Sequence, residues 1–278
     1  AFDSCEKLRS VTLGPNCSDI GTAPFRGCYN MVMVGDNEYY KTQNGIVYSV
    51  NTDGSYTIEE CLAARGRLVG TALIPDQGDE NLSKVSAIKP GAFEDCDHIT
   101  TIDLSRTSGL TVIPKDCFRN DPGNTKCGNL SSVTLPRTVN EIQEGAFANA
   151  LKLNSLTIPG MEVFISARAF ENNDDNSKAV TMVRTYQDSS ARRYVNTYGE
   201  PTKFNLQWED IGNQWRVTFY GPDGVMLTDL VNQDGESIDN PQYVKDDEYV
   251  KLPTDPVKEG WTFESWLGTD NAKVSDRI

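Results

Sequence analysis

A short phrase centred on Phe recurs along this chain at a nearly fixed spacing. Ala, Pro or Cys precedes the Phe, and a Cys or Ala follows it a few residues later. The copies are Ala1-Phe2 with Cys5, Pro24-Phe25 with Cys28, Ala92-Phe93 with Cys96, Cys117-Phe118 with Cys127, Ala146-Phe147 with Ala150, and Ala169-Phe170. The first two Phe and the last two Phe are each 23 residues apart, which is a period typical of leucine-rich repeats. The repetition predicts a solenoid, in which each repeat buries its apolar face against its neighbours.

A strand follows each full phrase in a constant register. Its central residue lies six positions after the Cys or Ala, as with Ala150 and Leu156. In the strand Val133-Thr134-Leu135, alternate side chains point to opposite faces, so Val133 and Leu135 face the core and Thr134 faces solvent. We therefore expect the strands to stack into a parallel sheet with apolar ladders inside.

Residues 130–147, LSSVTLPRTVNEIQEGAF, resemble the BspA-like leucine-rich repeats, the treponemal type found in surface proteins of host-associated bacteria and some protists. The resemblance extends over roughly residues 1–200. It implies a mainly β fold: a right-handed leucine-rich-repeat solenoid with a parallel β-ladder and an inserted β-hairpin, capped by a short helix. It also implies a secreted or cell-surface protein that adheres to host components, other bacteria or extracellular matrix.

An insertion at about residues 37–70 interrupts the repeats between Phe25 and Phe93. Two strand-like runs flank the pair Asp53-Gly54, and Asp-Gly is a strong signal for a tight hairpin turn. We predict a β-hairpin here, and members of the resembled family often carry such a hairpin between repeats.

The repeats end in a segment that we predict to be a C-terminal cap, residues 180–200. Within it, the run at 187–198 is helix-like, either Asp188 or Ser189 is the expected N-cap, and Gly199 ends the helix. This run resembles the terminal segment that closes BspA-like arrays.

The remaining chain is predicted to form a linker, residues 201–214, and a small β module, residues 215–278. The module resembles the Listeria–Bacteroides repeat, a β-grasp-like domain of bacterial surface proteins. Its aromatic residues Trp261, Phe263 and Trp266 are expected to form its core, with a carbohydrate-stacking platform as the alternative.

The seven cysteines are explained by the repeat register better than by disulfides. Four share the position after the Phe phrase, one replaces the Ala before Phe, and one takes the place that Val139 occupies in another repeat. These six are Cys5, Cys28, Cys96, Cys127, Cys117 and Cys17. We expect them to be reduced thiols in the core, a role that free Cys fills well; Cys61 has no place in this scheme.

The chain is strongly acidic, with 26 Lys and Arg against 40 Asp and Glu and a formal net charge of −14. This charge disfavours nucleic acid and anionic membranes and favours cationic or neutral partners. The sequence contains no apolar run long enough to span a bilayer, so no membrane insertion is expected. Because the chain begins inside a repeat phrase, we expect a longer protein whose preceding part carries any secretion signal.

The sequence predicts no catalytic residue, no cofactor and no metal site. His98 is the only histidine and falls in a turn between repeats, so no Ser/His/Asp or Cys/His set can be assembled. The acidic pairs, such as Glu59-Glu60, are adjacent in sequence and are expected to be solvated, not facing as in glycosidases. The run 172–176, NNDDN, is rich in oxygen atoms but lacks calcium-loop spacing, which favours a plain turn over a Ca²⁺ site.

Two surfaces are candidates for binding. The outward strand positions of a solenoid form a continuous face, here Ser10, Thr12, Met33, Thr101, Asp103, Ser132, Thr134, Ser155 and Thr157. The alternative is that Ser and Thr occur there only as good strand formers. The second surface consists of the hairpin tyrosines Tyr39, Tyr40, Tyr48 and Tyr56, for which packing against the solenoid is the alternative to ligand contact.

We therefore predict a non-catalytic protein that binds a host or bacterial surface protein or a glycan through the solenoid face. The alternative is a structural spacer or assembly module of a larger surface protein.

Overall fold

The structure is a computed structural model that describes residues 2–28, 30–31, 33–43, 45–62, 70–73, 84–94, 96, 99–107, 109–120, 129–172, 180–200, 204–212, 214–217, 219, 227, 230–231, 235, 237–238, 242–245 and 252–254. The chain divides into two compact units, residues 1–211 and residues 212–278. The repeats lie in the first unit.

The first unit is mainly β, with one helix among its described residues. Its strands are, in chain order, β1 (Ser10–Thr12), β2 (Met33–Gly35), β3 (Tyr40–Gln43), β4 (Ile46–Val50), β5 (Tyr56–Cys61), β6 (Gly70–Leu73), β7 (Val85–Ile88), β8 (Ile99–Asp103), β9 (Val112–Ile113), β10 (Ser132–Thr134), β11 (Glu141–Ile142), β12 (Ser155–Thr157), β13 (Phe164–Ile165), β14 (Thr181–Thr185) and β15 (Leu206–Asp210). Helix α1 (Ser190–Tyr198) lies between β14 and β15. Each repeat, called a rung below, contributes one short strand or two.

Six strands form one parallel sheet in the order β6-β8-β10-β12-β14-β15. Val133 in β10 is aligned with Ile102 in β8 and with Leu156 in β12, and all three are buried. A second parallel sheet, β9-β11-β13, lines the opposite side of the same rungs and buries Ile113 and Ile142. The predicted solenoid with parallel ladders and inward-facing Val and Leu is confirmed.

The Phe residues of the repeat phrase form a continuous stack of rings inside the solenoid. Successive ring centroids from Phe93 onwards lie 5.4, 5.1 and 5.0 Å apart, and the rings are nearly parallel. The stack continues through aromatic residues of α1 and of the segment after it. Its members are Phe93, Phe118, Phe147, Phe170, Tyr194, Tyr198 and Phe204. Stacked rings at this spacing add to the apolar burial that holds neighbouring rungs together.

The insertion contains three antiparallel strands rather than a simple hairpin. β4 and β5 form the predicted hairpin, and its turn contains Gly54 at a φ of +79°, in the region that glycine adopts most readily. β3 adds a third strand on the outer side of β4. On its other side β5 pairs in parallel with β7, so the insertion joins the solenoid through β5.

The end of the solenoid has a helical cap, as predicted. Ser189 is the N-cap: its Oγ accepts a hydrogen bond from the Arg192 backbone N–H, and its backbone is extended. Gly199 ends the helix where a Cβ atom would lie 2.4 Å from the Val195 carbonyl oxygen. Residues beyond it, assigned to a linker from the sequence, include strand β15 instead. Phe204, Leu206 and Trp208 alternate with polar residues, and this period of two buries Leu206 beside β14.

The second unit, residues 212–278, contains two antiparallel strands among its described residues, β16 (Gln214–Val217) and β17 (Gln242–Lys245). Phe219 is buried against Leu227, Leu230 and Leu252. The three aromatic residues Trp261, Phe263 and Trp266 lie outside the described residues.

The cysteines follow the repeat register in part. Cys28, Cys96 and Cys117 are buried as expected, and burial raises the pKa of the Cys117 thiol well above its usual range. The expectation of burial is wrong for Cys5, which is exposed, and Cys17 is only half-buried. Both lie in the first described rung, whose apolar residues Leu8, Val11, Leu13 and Ile20 are only partly buried. The predicted ladder position of Cys127 lies outside the described residues, and Cys61 is buried in the main core.

Candidate binding face

Six of the predicted face residues lie side by side on the six-stranded sheet. They form two rows across β8, β10 and β12, one of Thr101, Ser132 and Ser155 and the other of Asp103, Thr134 and Thr157. All six side chains are half-buried, and the residues between the rows are buried. The rows therefore rest on a packed core that fixes their spacing.

The rows extend onto two further strands that contribute residues the sequence analysis did not select. β14 adds Met182 and Arg184, and β15 adds Gln207 and Glu209 in the same register. The Arg184 Nε atom donates a hydrogen bond of 2.9 Å to the Glu209 carboxylate. The last two strands of the face are therefore joined by an ion pair. The sequence signal for β15 was the alternation of apolar and polar side chains in residues 204–208.

The chemistry of the two rows is that of small polar side chains. Hydroxyl groups of Ser and Thr both donate and accept hydrogen bonds and have little side-chain entropy to lose. Asp103 is oriented locally, because its Oδ1 atom accepts a hydrogen bond of 2.9 Å from the Ser105 N–H. Among the described residues of these rows there is no aromatic side chain on which a sugar ring could stack. The arrangement suits recognition of a polar surface by many weak hydrogen bonds.

The predicted face is not continuous with the first rungs. Ser10 and Thr12 are exposed on β1, which pairs only with β2 among the described strands. Met33 is aligned with Ser10 in that small sheet, and its side chain lies outside the described residues. Ser10 and Thr12 therefore lie on a different sheet from the other six residues in the described part of the chain.

The hairpin tyrosines are mostly structural. Tyr40, Tyr48 and Tyr56 have 4%, 2% and 5% of their surface exposed, so the prediction of a tyrosine binding surface is wrong for them. The Tyr40 hydroxyl donates a hydrogen bond of 3.0 Å to the Ser18 carbonyl oxygen, and Tyr48 and Tyr56 meet edge to face. Apolar rings packed this way attach the insertion to the solenoid. Tyr39 alone of the four is exposed, at 37%.

Glu59 and Glu60 are buried, which corrects the expectation that they are solvated. Each is only 6% exposed, because every residue of β5 is covered by the strands and rungs on either side. The Glu59 Oε1 atom accepts a hydrogen bond of 2.6 Å from the Ser49 hydroxyl. The Glu60 Oε2 atom accepts one of 3.1 Å from the Phe25 backbone N–H. The two carboxylates therefore have separate partners and do not form a catalytic pair.

The described residues contain no group of three or more His, Cys, Asp or Glu side chains placed to hold a metal ion. His98 and residues 173–176 of the oxygen-rich run lie outside the described residues. No helix in the described parts of the chain has both the length and the apolar character needed to cross a membrane.

Comparison with known proteins gives the family. The profile of the BspA type leucine-rich repeat region matches six copies over residues 1–48 and 80–177, which together make up more than half of the chain. The chain belongs to this family. No curated protein matches this BspA-type repeat protein.

Solved structures of leucine-rich-repeat proteins are similar to this BspA-type chain. A leucine-rich cell surface protein from Faecalibacterium prausnitzii A2-165 is 18% identical with a TM-score of 0.43, and the match covers 74% of this chain and 48% of that one. A leucine-rich repeat protein from Bacteroides capillosus ATCC 29799 is 24% identical with a TM-score of 0.38, and the match covers 49% of this chain and 94% of that one. The pneumococcal vaccine antigen PcpA is 15% identical with a TM-score of 0.41, and the match covers 73% of this chain and 55% of that one. The chain spans about half the length of the first and third of these proteins, and the family assignment depends on the repeat match alone.

Proposed function

We propose that this protein is a non-catalytic, secreted or cell-surface protein that binds another protein through the two polar rows of the six-stranded sheet. The observation that carries this proposal is the register of the rows, which places the small polar side chains of β8, β10 and β12 side by side over a buried core and continues onto β14 and β15. A rigid array of this kind is the surface that repeat proteins use for extended contacts. The BspA-type family supports a role at the cell surface.

A protein partner with a polar, neutral or cationic surface fits the rows best. The chain carries a net charge of −14, so a basic partner would be attracted and an anionic one repelled. Hydroxyl groups can pair with peptide and side-chain groups, whereas the described part of the rows has no aromatic platform for a glycan. Adhesion to a host or bacterial surface protein is the role we infer for this contact.

The test is a pair of substitutions on neighbouring strands, Thr134→Lys and Thr157→Lys. Both residues lie in the same row, so two lysines place long charged side chains over the centre of the face. We expect the double variant to lose attachment to immobilised host-surface or bacterial-surface proteins by at least tenfold, with an unchanged melting temperature.

The matched control is Thr111→Lys, which makes the same chemical change at an exposed position beside β9 on the other sheet. Attachment should be retained in this control. Full attachment by the Thr134→Lys/Thr157→Lys variant would show that the face does not carry the binding.

A structural spacer is the second candidate. The ring stack from Phe93 to Phe204 favours it, because the stack makes the rungs a continuous, well-packed body without reference to any ligand. A spacer would give no saturable binding in an array of host proteins and glycans, whereas one saturable partner would favour the first proposal.

We also propose that residues 215–278 are a small β module similar to the Listeria–Bacteroides repeat, which spaces or anchors the solenoid. Its support is the resemblance of the sequence and the separate compact unit at residues 212–278.

A further inference from the structure

Neighbouring rungs are joined by the same backbone hydrogen bond at four of the Phe residues. The Phe N–H donates to the carbonyl oxygen of the residue that precedes Phe in the next rung. The donor and acceptor pairs are Phe2 and Pro24 at 3.0 Å, Phe93 and Cys117 at 2.9 Å, Phe118 and Ala146 at 2.8 Å, and Phe147 and Ala169 at 2.8 Å.

The pattern differs at Phe25, where the insertion enters the solenoid. The equivalent acceptor would be the Ala92 carbonyl oxygen, but that atom accepts a hydrogen bond of 2.7 Å from the Cys61 N–H of β5. The Phe25 N–H donates instead to the Glu60 carboxyl group at 3.1 Å. A side chain of β5 thus takes the place of a backbone carbonyl, and β5 lies between the two rungs.

Glu60 also lies at the boundary between two apolar clusters. The small cluster contains Phe25 and Cys28 of the second rung, with Val47 and Leu62 of the insertion. The main core contains Ile58 and Cys61 of β5 and the later rungs. The Phe25–Glu60 hydrogen bond therefore connects the first two rungs to the rest of the solenoid.

Few charges face this carboxyl group. Arg26, in the turn of the second rung, is the nearby cation, but its guanidinium pairs with Glu94. Glu59 is a negative influence from β5 itself. The Cys28 thiol also lies close to Glu60 on the side of the second rung.

We propose that Glu60 makes this junction sensitive to pH, so that the first two rungs are held more tightly against β5 when the carboxyl group is protonated than when it is charged. A buried carboxylate is costly unless it is well paired, and Glu60 has one backbone donor and a shared Arg26. A neutral carboxyl group still accepts the Phe25 hydrogen bond through its carbonyl oxygen and avoids that cost.

The electrostatics of the site agree with this direction. Burial raises the pKa of Glu60 to about 7, while the Phe25 hydrogen bond and Arg26 act in the opposite sense. The pKa of an exposed glutamate is near 4.5. Glu60 therefore binds its proton more tightly when the first two rungs pack against β5 than when they have separated from it. The stability that the proton provides is fully present below about pH 4.5 and is lost as the pH rises through about 7.

The test is amide hydrogen exchange of the intact chain at pH 5 and pH 8, corrected for the intrinsic pH dependence of exchange. We expect the protection of the segment around Phe25 to fall by tens of fold at the higher pH, the size that follows from the difference in proton affinity. The segment around Phe147 is the internal control, because its N–H donates to a backbone carbonyl and should keep its protection.

Two variants assign the effect to the side chain. Glu60→Gln keeps an acceptor for Phe25 but cannot titrate, so its protection should be the same at both pH values. Glu59→Gln is the matched control, since the neighbouring residue binds Ser49 and should leave the pH response intact. A pH response that survives in Glu60→Gln, or wild-type protection that does not change, would overturn the proposal.

A measurement on the unmodified protein covers the case in which Glu60→Gln does not fold. With ¹³C-labelled glutamate, one side-chain carboxyl signal should titrate with a midpoint near pH 7. If every glutamate carboxyl titrated below pH 6, the proposal would be wrong.

Discussion

A single aromatic side chain makes contacts on both sides in this solenoid. The Phe147 ring stacks on Phe118 and on Phe170 at 5.1 and 5.0 Å, and it is fully buried. Its loss would leave a cavity between two rungs at once, with the surrounding rings held in place by their own neighbours.

We therefore expect Phe147→Ala to lower the free energy of unfolding by about 3–5 kcal/mol. The control is Phe164→Ala, because the Phe164 ring is 69% exposed and its removal should cost less than about 1 kcal/mol. Urea unfolding followed by circular dichroism measures both. Equal losses in the two variants would contradict the importance of the stack.

For single residues, the repeat register predicted the burial of side chains that recur in every rung. It did not predict the burial of side chains that belong to the insertion. Val133, Leu135 and Phe147 are buried because each rung supplies the same neighbours. Glu60 and Tyr48 are buried because the insertion folds onto the rungs, and no repeat indicates where an insertion packs. Long-range packing of this kind is not encoded in local periodicity.

Among the elements, the cap helix depends on one short hydrogen-bond network. The Ser189 hydroxyl accepts from the Arg192 N–H and lies 2.8 Å from the Thr185 hydroxyl of β14. It thus begins the helix and connects it to the last strand before it. The sequence left Asp188 and Ser189 as equal choices for the N-cap, because both residue types are favoured there.

Ser189→Ala should lower the melting temperature, because it removes the cap and leaves a buried Thr185 hydroxyl with one partner fewer; the expected loss is about 1–2 kcal/mol. Asp188→Ala is the matched control at the adjacent, exposed position and should leave the melting temperature unchanged. Thermal denaturation followed by circular dichroism compares the two. A larger loss in Asp188→Ala would reverse the assignment of the cap.

Strand β15 was not foreseen, since its polar composition resembles a linker and only Leu206 among its residues is deeply buried. Its role follows from its position: it extends the sheet beyond β14 and places Glu209 beside Arg184. An edge strand needs only one apolar face, so its sequence signal is weak. The candidate face is longer than predicted for the same reason.

For the whole molecule, the boundary between the two units predicts where the chain can be truncated without loss of the solenoid's stability. The first unit ends at Ile211, directly after β15. Each rung of a solenoid draws its stability from its nearest neighbours, so the rungs should not require residues 212–278.

A chain truncated after Ile211 should keep the melting temperature of its β-sheet signal within about 2 °C of the intact protein's, because a ΔΔG well under 1 kcal/mol moves it no further. Truncation after Glu200 serves as the comparison, since it also removes β15 and its buried Leu206, and should lower the melting temperature by several degrees. Differential scanning calorimetry distinguishes the two. Unfolding of the longer fragment would mean that residues 212–278 are part of the solenoid's stability.

The hydrogen bond that the Phe N–H donates to the next rung has a consequence for how the gene can change in length. From Phe93 onwards the joints are alike, so duplication or loss of a whole repeat recreates the same donor, the same acceptor and the same ring contact. Recombination can therefore vary the number of repeats there without new compensating residues. The joint at Phe25 is different, because its acceptor is the side chain of Glu60. Duplication or loss of a repeat at this point would not recreate the joint, because the Ala92 carbonyl oxygen already accepts from the Cys61 N–H.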